Sequence, residues 1–97
     1  MNNLAHNQPH DAFLLQWALE RRLPANRSAV LVALANNADP GTRRVTMSYG
    51  GIAAEVHCVS RTVERAIRDL LKMGLISRER DDGPYPATYT LNAEFDD

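Results

Sequence analysis

At 97 residues, 44% of them hydrophobic and 24% charged, with a net charge of −1, the chain has the composition of one small globular domain with a single modest core. These figures exclude a membrane-spanning helix, since no apolar run approaches the ~18 residues it needs. They also exclude an internal disulfide, since Cys58 stands alone, and a uniformly basic coat for nucleic acid.

The start, "MNNLAHNQPHD", is polar and lacks the basic-then-apolar order of a secretory signal, so no export is expected. With one cysteine, a reducing cytoplasm fits. Residues 1–10 read as a flexible N-terminal tail, 11–92 as the domain, and 93–97 as an acidic C-terminal tail. Charge is distributed unevenly. From Arg43 to Arg80 there are eight cations against four acids, while Asp81, Asp82, Glu94, Asp96 and Asp97 gather beyond. A basic middle with acidic margins is compatible with one binding face, and equally with scattered solvated charge.

In chain order, a first helix is expected over "DAFLLQWALERRL", with Asp11 as its N-cap and Pro24 just beyond its end. Phe13, Leu14, Trp17, Ala18 and Leu23 recur at helical spacing and give it an apolar face. A second helix runs through "RSAVLVALANNA", starting after Asn26 and ending near the turn signal "ADPG". Val30, Leu31, Leu34 and the alanines make it apolar around much of its circumference, the mark of a central helix. "TRRVTM" alternates Val45 and Met47 against Arg44 and Thr46, as one short strand would.

Ser48 then offers an N-cap to "YGGIAAEV", although Gly50 and Gly51 in its first turn cost roughly 1 kcal/mol each. "HCV" makes a break, and "SRTVERAIRDLLKM" forms the next helix, stopped by Gly74 in a left-handed conformation. Leu75 or Ile76 can then fold back on its last turn. "LISRER" and "ATYTLN" read as two strands joined by "DDGPYP". In the second of them Ala87, Tyr89 and Leu91 alternate against Thr88, Thr90 and Asn92.

The helix from about Ser60 to Met73 carries most of the information. At about 100° per residue, with Val63 at zero, Ile67, Leu70, Leu71 and Ala66 fall within roughly 80° on either side. Arg61, Arg65, Arg68 and Lys72 fall between roughly 140° and 200°, opposite that apolar stripe, with Glu64 and Asp69 at the flanks. Like charges at i, i+4, i+7 and i+11 repel by a few tenths of a kcal/mol per neighbouring pair. Phosphates reward such a row, and arginine can reach guanine edges bidentately in the major groove. A solvated face relieved by Glu64 and Asp69 is the alternative.

A short helix, a tight break and a basic helix make the order of a helix-turn-helix, and the following hairpin makes a wing. "GGIAAEVHCVSRTVERAIRDLLKMGLISRER...ATYTLN" resembles the winged helix-turn-helix domains of bacterial regulators and of phage and plasmid replication proteins. The resemblance rests on Ile52-Ala53 opening the first helix of the motif, Thr62-Val63 seating the recognition helix, and the run Leu70 to Ile76 leading into the wing. The upstream "AVLVALANNAD" resembles the helix that precedes the motif there. It covers about Asn26 to Asn92. The fold it implies is mainly α with a small β-hairpin: a three-helix core plus wing, with an extra N-terminal helix.

The chain departs from that pattern in the turn, where glycine and a capping serine usually stand. His57 and Val59 occupy those positions. Histidine tolerates the left-handed backbone better than most residues, and Ser60 is expected to act as the cap one residue late. Asp81 and Asp82 suit phosphate poorly, so wing contacts are expected from Arg78, Arg80 or Tyr85.

Other chemistry is set aside. His6, His10, His57 and Cys58 show no metal-ligand spacing, so no metal or cofactor is expected; a turn residue and a small buried thiol describe the last two. No catalytic order or phosphate loop is convincing, and the chain is read as no enzyme. Gly50 and Gly51 serve either close approach of a DNA phosphate, with Ser48 and Tyr49 as donors, or a permissive turn. Trp17 with Phe13 reads as packing rather than base stacking. An exposed apolar part of the first helix could mediate dimerisation.

The expected function is therefore sequence-specific binding of double-stranded DNA, in the bacterial cytoplasm and nucleoid, with a homodimer as the implied form. Ser60, Arg61, Thr62 and Arg65 are expected at base edges, and Arg44, Ser48, Tyr49, Arg68 and Lys72 at the DNA backbone. A transcriptional regulator comes first and a phage or plasmid replication-initiation protein second. The rival from another class is a winged helix that docks proteins. No membrane partner is expected.

Overall fold

The computed structural model describes residues 9–79 and 86–94. Its elements run α1 (Pro9–Glu20), α2 (Ala25–Asn37), β1 (Arg44–Met47), α3 (Tyr49–Val56), α4 (Ser60–Lys72), β2 (Ile76–Arg78) and β3 (Ala87–Leu91). Each expected element is present, in the expected order. The wing turn, with Asp81, Asp82, Arg80 and Tyr85, lies outside the described residues, as do His6 and the last three residues.

Both expected starts in the N-terminal half move earlier. α1 begins at Pro9, so Asp11 is not its N-cap and the helix takes in Pro9 and His10 of the expected tail. Proline suits a first turn because its fixed φ is already helical and its missing N–H has no partner to lose there. The helix stops at Glu20, and Arg22 takes a left-handed φ of 53°, which bends the chain before Pro24. α2 begins at Ala25 with Pro24 as its N-cap, because the extended Pro24 (φ −54°, ψ 155°) places its carbonyl to accept the Ser28 N–H at 2.9 Å.

α2 is the central element, packing against α1, α3, α4 and β1. Val30, Leu31, Ala33, Leu34 and Ala35 are all buried on it. Leu14, Trp17 and Ala18 of α1 close one side of this core. Trp17 is buried, with the Arg21 guanidinium over its ring at 5.5 Å, so it packs as expected. The "ADPG" turn is held by Asp39, whose carboxylate Oδ1 accepts the N–H groups of Gly41 (2.7 Å) and Thr42 (3.1 Å). This is the local bond that makes Asp a turn residue.

The strands form one three-stranded antiparallel sheet in the order β1-β3-β2. The wing hairpin therefore does not stand alone. β1 pairs with β3 from Arg44 opposite Thr90 to Met47 opposite Ala87, and β2 pairs on the other side, Ile76 opposite Leu91. The alternation explains it. Val45, Ala87, Tyr89 and Leu91 are buried on one face, whereas Thr46 and Thr88 meet on the other with hydroxyls 2.7 Å apart. Ala93, expected in the acidic tail, is buried, and its carbonyl accepts a bond from the Arg43 guanidinium.

The helix ends are set by two left-handed residues. His57 (φ 60°, ψ 46°) closes α3, with the Cys58 N–H donating to the Ala53 carbonyl at 3.1 Å. Gly74 (φ 76°) closes α4: its N–H donates to Leu71 O, and the Leu75 N–H donates to Leu70 O, both at 3.1 Å. That double bond pattern is a Schellman stop. A Cβ on Gly74 would meet nothing within 4 Å, so only the backbone demands glycine there. Gly74→Ala is expected to cost about 1–2 kcal/mol, and Gly74→Asn less, because Asn tolerates this region. Urea denaturation of both variants checks the order, and equal stability of glycine and alanine would refute the strain.

Candidate nucleic-acid interface

α4 is built as its wheel requires. Val63, Ala66, Ile67 and Leu70 are buried, whereas Arg61, Arg65, Arg68 and Lys72 are exposed. Magnitudes show why such a row of like charges still forms a helix. Burying each large aliphatic side chain is worth about 1.5–3 kcal/mol, and each like-charge pair costs only a few tenths. The seam decides the structure, leaving the outer face free for other use.

The two flanking acids pair differently, one with the row itself and one with another helix. Glu64 pairs with Arg68 at 3.0 Å, one turn on. Asp69 pairs with Arg27 of α2, also at 3.0 Å. Arg61, Arg65 and Lys72 have no ion-pair partner among the described residues. The row of four cations thus divides into three open ones and one, Arg68, shared with Glu64.

Arg27 is a residue that sequence reading missed. A cation in the first turn of a helix opposes the helix dipole, and that mismatch was a signal that it serves another element. It joins Pro24, the N-cap of α2, Ala25 and Asn26 of α2, and Thr62, Arg65, Ala66 and Asp69 of α4 around an open groove of about 330 Å³. Thr62, expected at a base edge, is half-buried beside this groove, while Ser60 and Arg61 are exposed.

The start of α4 differs from expectation. Ser60 is not a late cap; it is the first helical residue, and Val59 holds the N-cap position without a side-chain bond. Val59 is extended (φ −92°, ψ 156°), the region β-branched residues favour. Its carbonyl accepts the N–H groups of Thr62 (3.0 Å) and Val63 (3.2 Å), closing the first turn through the main chain alone. Cys58, expected as a buried thiol, is half-buried in the turn before it.

α3 is capped as expected. The Ser48 hydroxyl accepts the Gly51 N–H at 2.9 Å, which leaves its own hydrogen free to donate. A Cβ on Gly51 would come within 3.2 Å of that hydroxyl, whereas one on Gly50 would be 4.0 Å from it with nothing nearer. The cap thus accounts for Gly51, and no contact inside the described chain accounts for Gly50.

Arg44, Tyr49 and Arg78 have partners within the chain. Arg78 is half-buried: its Nη1 donates to the Tyr49 hydroxyl at 3.2 Å, and its guanidinium lies 5.7 Å from the ring centres of both Tyr49 and Tyr89. Tyr49 and Arg78 are therefore brought together, joining the start of α3 to β2. Arg44 pairs with Glu79 at 2.5 Å, both side chains about half exposed. Arg80 and Tyr85 lie outside the described residues.

No family model and no curated protein matches the chain. Its structure is similar to that of a MarR family regulator from Neisseria meningitidis, with a TM-score of 0.52 and 22% identity. The match covers 95% of this chain and 63% of that one, so this chain spans less than two thirds of the neighbour's length. At that identity the likeness is one of fold. The chain is a winged helix-turn-helix: α3 and α4 form the motif, α2 supports it, β2 and β3 form the wing, and α1 is added in front.

Proposed function

We propose that this chain binds double-stranded DNA with sequence preference and acts as a transcriptional regulator, α4 lying in the major groove. One observation carries the reading: Arg61, Arg65 and Lys72 form an exposed cationic row, without ion-pair partners among the described residues, opposite the buried seam of the second motif helix. In this fold the N-terminal part of that helix meets base edges and the rest meets phosphates. Ser60, Arg61 and Arg65, with Thr62 at the groove margin, are the base-reading set; Arg68 and Lys72 are phosphate contacts. Ser48, with a hydrogen to donate, and the uncrowded Gly50 suit approach of a phosphate to the start of α3. Arg44, Tyr49 and Arg78 act from their pairs within the chain. The neighbour of this fold is itself a regulator, which agrees with the role.

Selection of bound duplexes from a random pool tests the reading, followed by affinity measured against salt. A shared sequence motif is expected, with an affinity that falls steeply as salt rises, by a slope near 0.9 per phosphate contacted. A palindromic motif is the outcome expected of a homodimer. Absence of binding at low salt by folded protein refutes the proposal and leaves protein docking as the use of the wing.

A further inference from the structure

The two motif helices of this chain start differently. α3 has a serine whose side chain caps it; α4 has Val59 at the same position, with no side-chain bond. Serine, threonine, aspartate and asparagine are the residues that stabilise this position, and valine is among the poorest. Val59 is also 65% exposed, the highest value among the exposed large hydrophobic side chains of the described residues. The isopropyl group is thus not packed in the core and makes no capping bond to the helix. It projects from the tip of α4, next in sequence to the exposed Ser60 and Arg61.

In B-DNA the apolar feature of the major groove is the C5-methyl group of thymine, and small apolar side chains read it by contact. We infer that Val59 is a specificity-determining residue whose isopropyl group packs on a thymine methyl at the base step read by the N-terminal end of α4. The inference rests on the DNA reading above. A polar cap would stabilise the helix but put a hydroxyl where an apolar contact is made, so stability and recognition pull in opposite directions at this residue.

The test uses the full chain and the duplexes selected from the random pool. Each thymine in turn is replaced by deoxyuridine, which removes only the methyl group, and affinity is measured for the wild type, Val59→Ala and Val59→Ser. At one thymine per bound half-site the wild type is expected to lose about threefold to fivefold, the worth of roughly one buried methyl-sized contact. Val59→Ala is expected to lose a similar factor on the thymine duplex and nothing further on deoxyuridine at that position. Val59→Ser is expected to raise the melting temperature by roughly 4–8 °C while weakening binding to the selected duplex.

Deoxyuridine effects that are the same in the wild type and Val59→Ala at every position overturn the inference while leaving DNA binding intact. Val59→Ser that binds the selected duplex as tightly as the wild type also overturns it. No selected duplex at all refutes the DNA reading itself, a result distinct from the other two.

Discussion

Replacing Arg61 and Arg65 together by alanine is expected to lower affinity for the selected duplex by about 30-fold or more, with the melting temperature almost unchanged. Each arginine that reads a base edge bidentately contributes about 1–3 kcal/mol of discrimination, and two such losses compound. Both side chains are exposed and neither has an ion-pair partner among the described residues. Stability therefore moves by no more than about 0.5 kcal/mol, as for surface sites generally, and removing two like charges a turn apart favours the helix slightly. Lys72→Ala makes the contrast. It should weaken all duplexes alike and lower the salt slope by about 0.9, the signature of a phosphate contact. If the double variant loses the selected and a scrambled duplex by equal factors, Arg61 and Arg65 touch phosphates only and the base-reading assignment fails.

The division of the cationic row shows how far the sequence reaches. The seam of Val63, Ala66, Ile67 and Leu70 was legible because a 3.6-residue period is written into the residues themselves, and the alternation of β3 is equally local. Ser48 as a cap and Gly74 as a stop were legible for the same reason. Pairings between distant elements were not. Asp69 meets Arg27 across 42 positions and Arg78 meets Tyr49 across 29, and no periodicity encodes such a meeting. Nor could the four residues of β1 announce that they complete the wing's sheet, since a strand that short carries two inward side chains and no register. The late cap assigned to Ser60 failed for another reason. Cap preferences describe side chains, and here the Val59 carbonyl closes the turn without one.

Leu34→Ala is expected to destabilise the fold by about 2–5 kcal/mol, the range for a large-to-small change in a core that cannot fully collapse. A domain of this length has roughly 5–15 kcal/mol in total, so the variant should melt at least about 10 °C lower. Leu34 is fully buried on α2, the helix that α1, α3, α4 and β1 all pack against, so the cavity opens where four elements depend on one surface. Leu19→Ala on α1 is the control. That side chain is 56% exposed, and its loss should fall within about 0.5 kcal/mol. Calorimetry of the two variants decides whether α2 is the hub: similar melting temperatures would refute it. DNA affinity then separates packing from recognition. Measured at low temperature, where Leu34→Ala remains folded, it should stay near that of the wild type, because Leu34 contacts no solvent and can act on DNA only by unfolding the helices that present Arg61, Arg65 and Lys72.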